Sequence, residues 1–283
     1  MGLCFNVLGS GSTGNSTLVS DGVTNILVDA GFSGREMVRR VGEYGLAPEK
    51  ISAIVVSHHH IDHCCGIPPF IKKLDIPVFM TEAEFELPPD KNTPPLKDRV
   101  DPSKQHCISP GKSFDIGRIT VTGFSVQHRS AQHEDEKGYK KELPYNPLGF
   151  VFEKSGVRIG IAIDLGYISN LVKERLKGCA GIVLESNYDV AMLKAGPYPW
   201  AIKQRIMGKH GHLSNEDVAD YLKDDFDGSA AHVVLAHLSK QNNLPDLALL
   251  SARQALEKRP DINCVQTKIE LSYPDKISKT YRY

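Results

Sequence analysis

The sequence predicts an α+β chain in which helices cover the faces of the sheets. Three observations predict it. Continuous apolar runs of strand length recur in both halves, helix-start signals fall between them, and paired runs in the middle read as hairpins. The chain has 283 residues, 41% of them hydrophobic and 24% charged, which is ordinary for a globular protein. That length buries a large core without cross-links. With 34 basic and 34 acidic residues the net charge is +0, which argues against a protein held to nucleic acid by bulk charge. A local basic groove remains compatible, because phosphate binding depends on where the charges sit. No internal repeat and no low-complexity linker interrupts the pattern, so residues 1–283 read as one domain.

Leu3–Leu8 and Asn25–Val28 read as short buried strands, with GSGSTGNS at positions 9–16 as a turn-rich polar loop between them. Ser33 as N-cap, with Glu36 completing a capping box, starts a helix whose apolar face is Met37, Val38 and Val41. Ala53–Val56 is a strand that ends abruptly in SHHHIDHCC. Val78–Met80 is a strand, and Thr81 with Glu84 marks the next helix start. Residues 87–104, rich in Pro, Asp and Lys, read as an irregular surface excursion. Phe114–Ile116 and Ile119–Val126 form a hairpin pair around Gly117, and residues 129–147 are polar and turn-rich. Gly149–Phe152 and Val157–Ile163 form a second pair through Lys154–Gly156. Gly181–Leu184 is a strand and Ala201–Met207 a helix. Ser214 with Asp217 caps a helix that runs through Phe226. His232–Ala236 is a buried strand and Pro245–Lys258 the last helix.

The six cysteines (Cys4, Cys64, Cys65, Cys107, Cys179 and Cys264) form no CxxC pair and read as reduced thiols of a cytoplasmic protein. The first residues, MGLCFNVLGS, lack the basic start and apolar core of a secretory signal. No apolar run is long enough to span a bilayer, so no membrane partner is expected.

The histidines carry the chemistry. His58-His59-His60-Ile61-Asp62-His63 follows a buried strand, where imidazoles and a carboxylate can be aimed at one point. His58, His60, Asp62 and His63 are the candidate ligands. His59 should face away from its neighbours. Imidazoles with a carboxylate suit zinc, manganese or iron better than calcium or magnesium. Three further metal-competent side chains stand just after apolar strands: His128, Asp164 and His237.

The order HxHxDH, His, Asp, His resembles the metallo-β-lactamase superfamily. The resemblance implies a four-layer αββα sandwich with the site along one edge. It further implies that His58, His60 and His128 hold one divalent metal ion, that Asp62, His63 and His237 hold a second, and that Asp164 bridges them. Zinc or manganese is the expected metal, and iron also fits. Asp29, in LVDAG, matches an upstream aspartate of these families and is expected to orient a ligand histidine.

Three stretches narrow the substrate. GSGSTGNS, containing Ser12 and Asn15, offers hydroxyls and approachable backbone N–H groups that suit a phosphate. LESNYD and GHLSNED pair a carboxylate, Glu185, with a histidine, His212, and AHLSKQNN adds Lys240 beside the last ligand. Together with GPYPWAIKQRI these blocks resemble the WalJ (YycJ) group of cytosolic bacterial proteins regarded as 5′-to-3′ DNA exonucleases. Tyr188 departs from that group's pattern, which often has a histidine there. The second half is also similar to the tRNA 3′-processing endonuclease, in which a histidine and a glutamate work together at the positions of His212 and Glu185. The resemblance implies metal-assisted phosphodiester hydrolysis of nucleic acid, DNA ahead of RNA, with Asp62, His212 and Glu185 at the chemistry. Ser12, Asn15 and Lys240 are the expected substrate contacts, and Lys203, Arg205 and the run Lys137–Lys141 further backbone contacts. A cyclic-phosphate diesterase or a thioester or carboxylic-ester hydrolase is the alternative.

Overall fold

The computed structural model describes residues 2–90, 92–128, 146–259 and 266–283. The 129–147 stretch and the Lys137–Lys141 run therefore lie wholly or mostly outside the described residues. Two seven-stranded mixed sheets are present. The first contains β1 (Cys4–Gly9), β2 (Ser16–Ser20), β3 (Asn25–Val28), β4 (Ala53–Val55), β5 (Val78–Thr81) and β6 (Gln105–Ile108). The second contains β7 (Ser113–Ile116), β8 (Ile119–Ser125), β9 (Leu148–Lys154), β10 (Val157–Ala162), β11 (Gly181–Glu185), β12 (His232–Ala236) and β13 (Lys268–Leu271). β14 (Tyr281–Arg282) returns to the edge of the first sheet beside β1.

Each sheet is antiparallel on one side and parallel on the other. β3 to β6 run parallel, and so do β10 to β13. β8 is antiparallel to β9, which is antiparallel to β10. So β8, β10, β11 and β12 point the same way, and their C-terminal ends open on one edge.

The inner parallel strands β3, β4, β11 and β12 are nearly continuous apolar runs because both of their faces are covered. Between the sheets Phe5, Ile26 and Val55 pack with Phe150, Phe152, Ile161, Val183 and Val234. Outside the first sheet the helices Gly34–Glu43 and Ile67–Ile71 bury Met37, Val41, Ile67 and Phe70 against Leu27 and Ile54. Outside the second, the helices Asn170–Leu176, Asn215–Asp220 and Pro245–Glu257 bury Val172, Val218 and Ala252 against Ile182 and Val233. The result is four layers, αββα. Among the described residues no helix is long and apolar enough to cross a membrane.

Several local expectations need correction. Ser16–Ser20 is a strand, fully buried between β1 and β3, although its serines and threonine disguise it. β6, β13, β14 and the short helices Asn170–Leu176 and Val190–Ala195 are too short to show a period. Val38 is 47% exposed, because it lies one position off the Met37/Val41 face of a 3.6-residue helix. Ser33 does cap Glu36 N–H, but the Glu36 carboxylate pairs with Arg39 and Arg40 and leaves the box open. Ser214 and Asp217 form the full reciprocal box. Within 87–104, Leu87, Leu96 and Val100 are buried, so this excursion is anchored.

Candidate active site

The predicted ligands come from strand ends. β4 leads into His58–His60 and then the short helix Ile61–Cys64, which carries Asp62 and His63; β8 leads into His128, β10 into Asp164 and β12 directly into His237, while β11 ends on Glu185 itself. Asp29 follows β3. Asp29, Asp164 and His237 have φ of 61°, 57° and 57°, in the left-handed region. For a non-glycine residue this conformation costs on the order of 1 kcal/mol or more and persists only where surrounding bonds enforce it. Here it turns a side chain at the end of a strand onto the common edge.

The ligand atoms converge in two overlapping groups. His58 Nε2 and His128 Nε2 lie 2.8 and 3.3 Å from His60 Nδ1. His128 Nδ1 donates to Gly211 O at 2.9 Å, so its Nε2 carries the lone pair. Burial pushes the pKa values of all three imidazoles down, and neighbouring imidazoles add to this, so they stay neutral as metal ligands require. The 3.3 Å between His60 Nδ1 and His128 Nε2 is also what tetrahedral zinc–nitrogen bonds of ~2.0–2.1 Å produce, whereas the 2.8 Å to His58 Nε2 is shorter. Asp62, His63, Asp164 and His237 form the second group.

Asp164 Oδ2 stands 2.6 Å from His63 Nε2 and 3.6 Å from His58 Nε2, between the two groups. His63 Nδ1 donates to Asp29 Oδ2 at 2.8 Å. Its Nε2 therefore faces the Asp164 carboxylate with a lone pair unless a positive charge lies between them. Burial alone would push His63 down, but Asp29, Asp62 and Asp164 hold it well above the usual imidazole range. His237 Nε2 is buried without a hydrogen bond, 3.5 Å from Asp62 Oδ2. Neutral imidazoles, clustered carboxylates and an unpaired ring nitrogen are the donor set a divalent metal fits.

His212 is the fourth element of this edge. Its Nδ1 donates to Glu185 Oε1 at 2.7 Å and lies 3.1 Å from Asp164 Oδ1. Glu185 is wholly buried, and it also receives His237 Nδ1 at 3.0 Å and Leu165 N–H at 2.9 Å. Burial opposes the charge on His212, but Glu185 and Asp164 outweigh it and raise its pKa to about 9. His212 lines a cleft of about 520 Å³ that also exposes His60, Asp62, His128, Asp164 and His237.

Ser12 and Arg205 line the same cleft. Asn15 does not. It is buried, with its Nδ2 3.1 Å from His63 Nε2 and its N–H donating to Asp62 O, so it braces the ligand loop. Lys240 is exposed and lies off the cleft wall. Lys203 is buried and donates to Lys194 O, which removes it from the substrate contacts. Tyr188 is buried behind Asn187 and its backbone holds Asn215. Three participants escaped the sequence reading. Ser57 bonds Asp29 through its N–H and Oγ at 2.7 and 2.8 Å. Asn187 Nδ2 donates to His237 O at 2.8 Å. Tyr198, in GPYPW, lines the cleft. Only the position of Asn187, two residues past Glu185, was a usable signal for any of them.

Two packed sheets with outer helices and a histidine–aspartate array across their shared edge define a divalent-metal hydrolase of the metallo-β-lactamase fold. A family model described as the beta-lactamase superfamily domain matches residues 24–238, and the chain belongs to that superfamily. It is 35% identical over 259 residues to the exodeoxyribonuclease YycJ of Bacillus anthracis, covering 92% of this chain and 91% of that one. It is 31% identical over 248 residues to the exodeoxyribonuclease WalJ of Streptococcus pneumoniae serotype 2, covering 88% and 86%. The metallo-β-lactamase fold protein YhfI of Bacillus subtilis superposes with a TM-score of 0.68 at 15% identity, over 98% of this chain and 99% of that one.

Proposed function

We propose that the protein is an exonuclease that uses two divalent metal ions, zinc or manganese, to hydrolyse phosphodiester bonds of DNA from the 5′ end. The observation that carries this reading is the Glu185–His212 pair, with His212 on the cleft wall beside Asp164. A thioester, whose thiolate leaves readily, has less need of a protonated imidazole than an alkoxide leaving from phosphorus. The names of the relatives above 30% identity support DNA as the substrate.

His58, His60 and His128 would hold one ion, and Asp62, His63 and His237 the other, with Asp164 shared. When bound, the ions supply Lewis acidity towards the phosphoryl oxygens and an activated water for in-line displacement. The protein's own groups do the rest. Glu185 fixes the His212 ring through Nδ1 and stabilises its charge. That leaves Nε2–H to protonate the leaving oxygen. Arg205 and Ser12 hold neighbouring phosphate oxygens along the cleft. Asp29, Ser57 and Asn15 keep the ligand loop in place while the substrate is exchanged.

The test is digestion of 5′- and 3′-labelled DNA, matched RNA and a thioester by protein loaded with manganese or zinc. Mononucleotides released progressively from the 5′ end of DNA, with a chelator abolishing the reaction, are the expected result. Activity confined to thioesters or small cyclic phosphates would overturn the proposal.

A further inference from the structure

Glu84 is a buried carboxylate that the chemistry above does not use. It lies in the first turn of the helix Glu82–Glu86, immediately after β5, and has no exposed surface. Thr81 caps its backbone N–H, but the carboxylate does not close that cap. Instead Oε2 accepts the His59 backbone N–H at 3.0 Å and the His59 Nδ1–H at 2.6 Å. Oε1 accepts the Asn146 N–H at 2.9 Å. Two residues later Leu148 N–H donates to Ser57 O at 2.9 Å, so the lead-in to β9 hangs from the same ligand loop.

His59 lies between two residues whose rings meet. The His58 and His60 rings are 4.4 Å apart, whereas the His59 ring is 6.3 Å from that of His58 and is held by Glu84. His59 also stands 5.0 Å from the His60 ring and reaches the cleft wall, so it does not turn wholly away from its neighbours as the sequence suggests. The N–H that Glu84 accepts belongs to the peptide joining His58 to His59. Fixing that peptide and the His59 ring together leaves this part of the loop little freedom to rotate.

We propose that Glu84 is a positioning residue for the His58, His60 and His128 triad, acting through the His58–His59 peptide and the His59 ring. The inference rests on the reading that this triad holds a metal ion. Glu84→Gln keeps one acceptor oxygen but sets an amide N–H against a donor, and Glu84→Ala removes the clamp. Residues that orient metal ligands typically change affinity by about 10–100-fold when replaced.

The experiment is titration of chelator-stripped protein with zinc against a chromophoric competitor, with thermal unfolding measured on the same samples. Val218→Ala, in the far helical layer, serves as a control for general loss of stability. The expected result is a 10–100-fold weaker first site in Glu84→Gln and a larger loss in Glu84→Ala, with Val218→Ala binding zinc normally despite a lower melting temperature. Wild-type affinity in folded Glu84→Gln overturns the proposal. So does equal weakening in Val218→Ala, or failure of both Glu84 variants to fold, since either makes Glu84 a stability residue. His60→Ala separates the two levels. If it retains both zinc equivalents, the triad reading is at fault. If it loses one while Glu84→Gln loses none, only the positioning role is.

Discussion

Replacing His212 with alanine is the most discriminating perturbation, because the structure separates its catalytic effect from its structural one. His212 gives one strong hydrogen bond, to Glu185 Oε1, and its side chain is 21% exposed. Without it Glu185 is not orphaned, because Oε1 keeps His237 Nδ1 and Oε2 keeps the Leu165 N–H. The cost in stability should therefore be about 1.5–3 kcal/mol, the range for one lost charged hydrogen bond. That lies at or below the lower end of the ~3–5 kcal/mol of an uncompensated buried charge. A general acid contributes about 10²–10⁴-fold, which is ~3–5 kcal/mol of barrier. His212→Ala should lower the single-turnover rate on end-labelled DNA by that factor while the metal content stays unchanged. Glu185→Gln should lose less. A near-normal rate in the folded fraction would falsify the acid role. Loss of a metal equivalent would make His212 a ligand instead, an arrangement the geometry permits, since ligand atoms of Asp164, Glu185, His212 and His237 lie within 4.8 Å of one another.

Asp29→Ala removes the acceptor for His63 Nδ1 and for Ser57, so metal affinity should fall by about 10–100-fold, and a titration showing unchanged affinity would remove Asp29 from the site. Gly31→Ala should displace the ligand loop, because an added Cβ would stand 1.6 Å from Asp62 O; a variant with wild-type melting temperature and metal content contradicts that close approach. Burial alone would raise the pKa of Asp21, but the Lys154 ammonium and the Thr24 and Val23 N–H groups lower it from 3.8 to about 2. Its stabilisation, about 2 kcal/mol, is therefore present above pH ~4 and lost as pH falls through ~2. Asp21→Asn should accordingly unfold more easily than the parent at pH 7, with the gap closing in acid. A gap that widens on acidification reverses the assigned sign.

The sequence by itself determined most of the scaffold and the identity of the metal-competent side chains. Val-, Ile- and Leu-rich runs such as Ala53–Val56 and His232–Ala236 announce buried strands, because a strand covered on both faces must be apolar along its length. A histidine or aspartate just beyond such a run then stands out against it, as His58, His128, Asp164 and His237 do. The same local signal fails for Ser16–Ser20, whose small polar side chains are buried by sheet neighbours that no window of sequence contains. It fails again for Asn15, Lys203 and Lys240, which share a composition suited to phosphate. Whether each faces the cleft, the loop beneath it or solvent depends on packing. Only the tertiary structure decided that Glu84 reaches back 25 residues to His59, that Ser57 meets Asp29 across 28 residues, and that Asp29, Asp164 and His237 adopt left-handed backbone. Hydrophobic pattern is set by the local period of the chain. Hydrogen-bond partners and strained dihedrals are set by whichever distant segment the fold brings alongside, and it is these that aim the ligands.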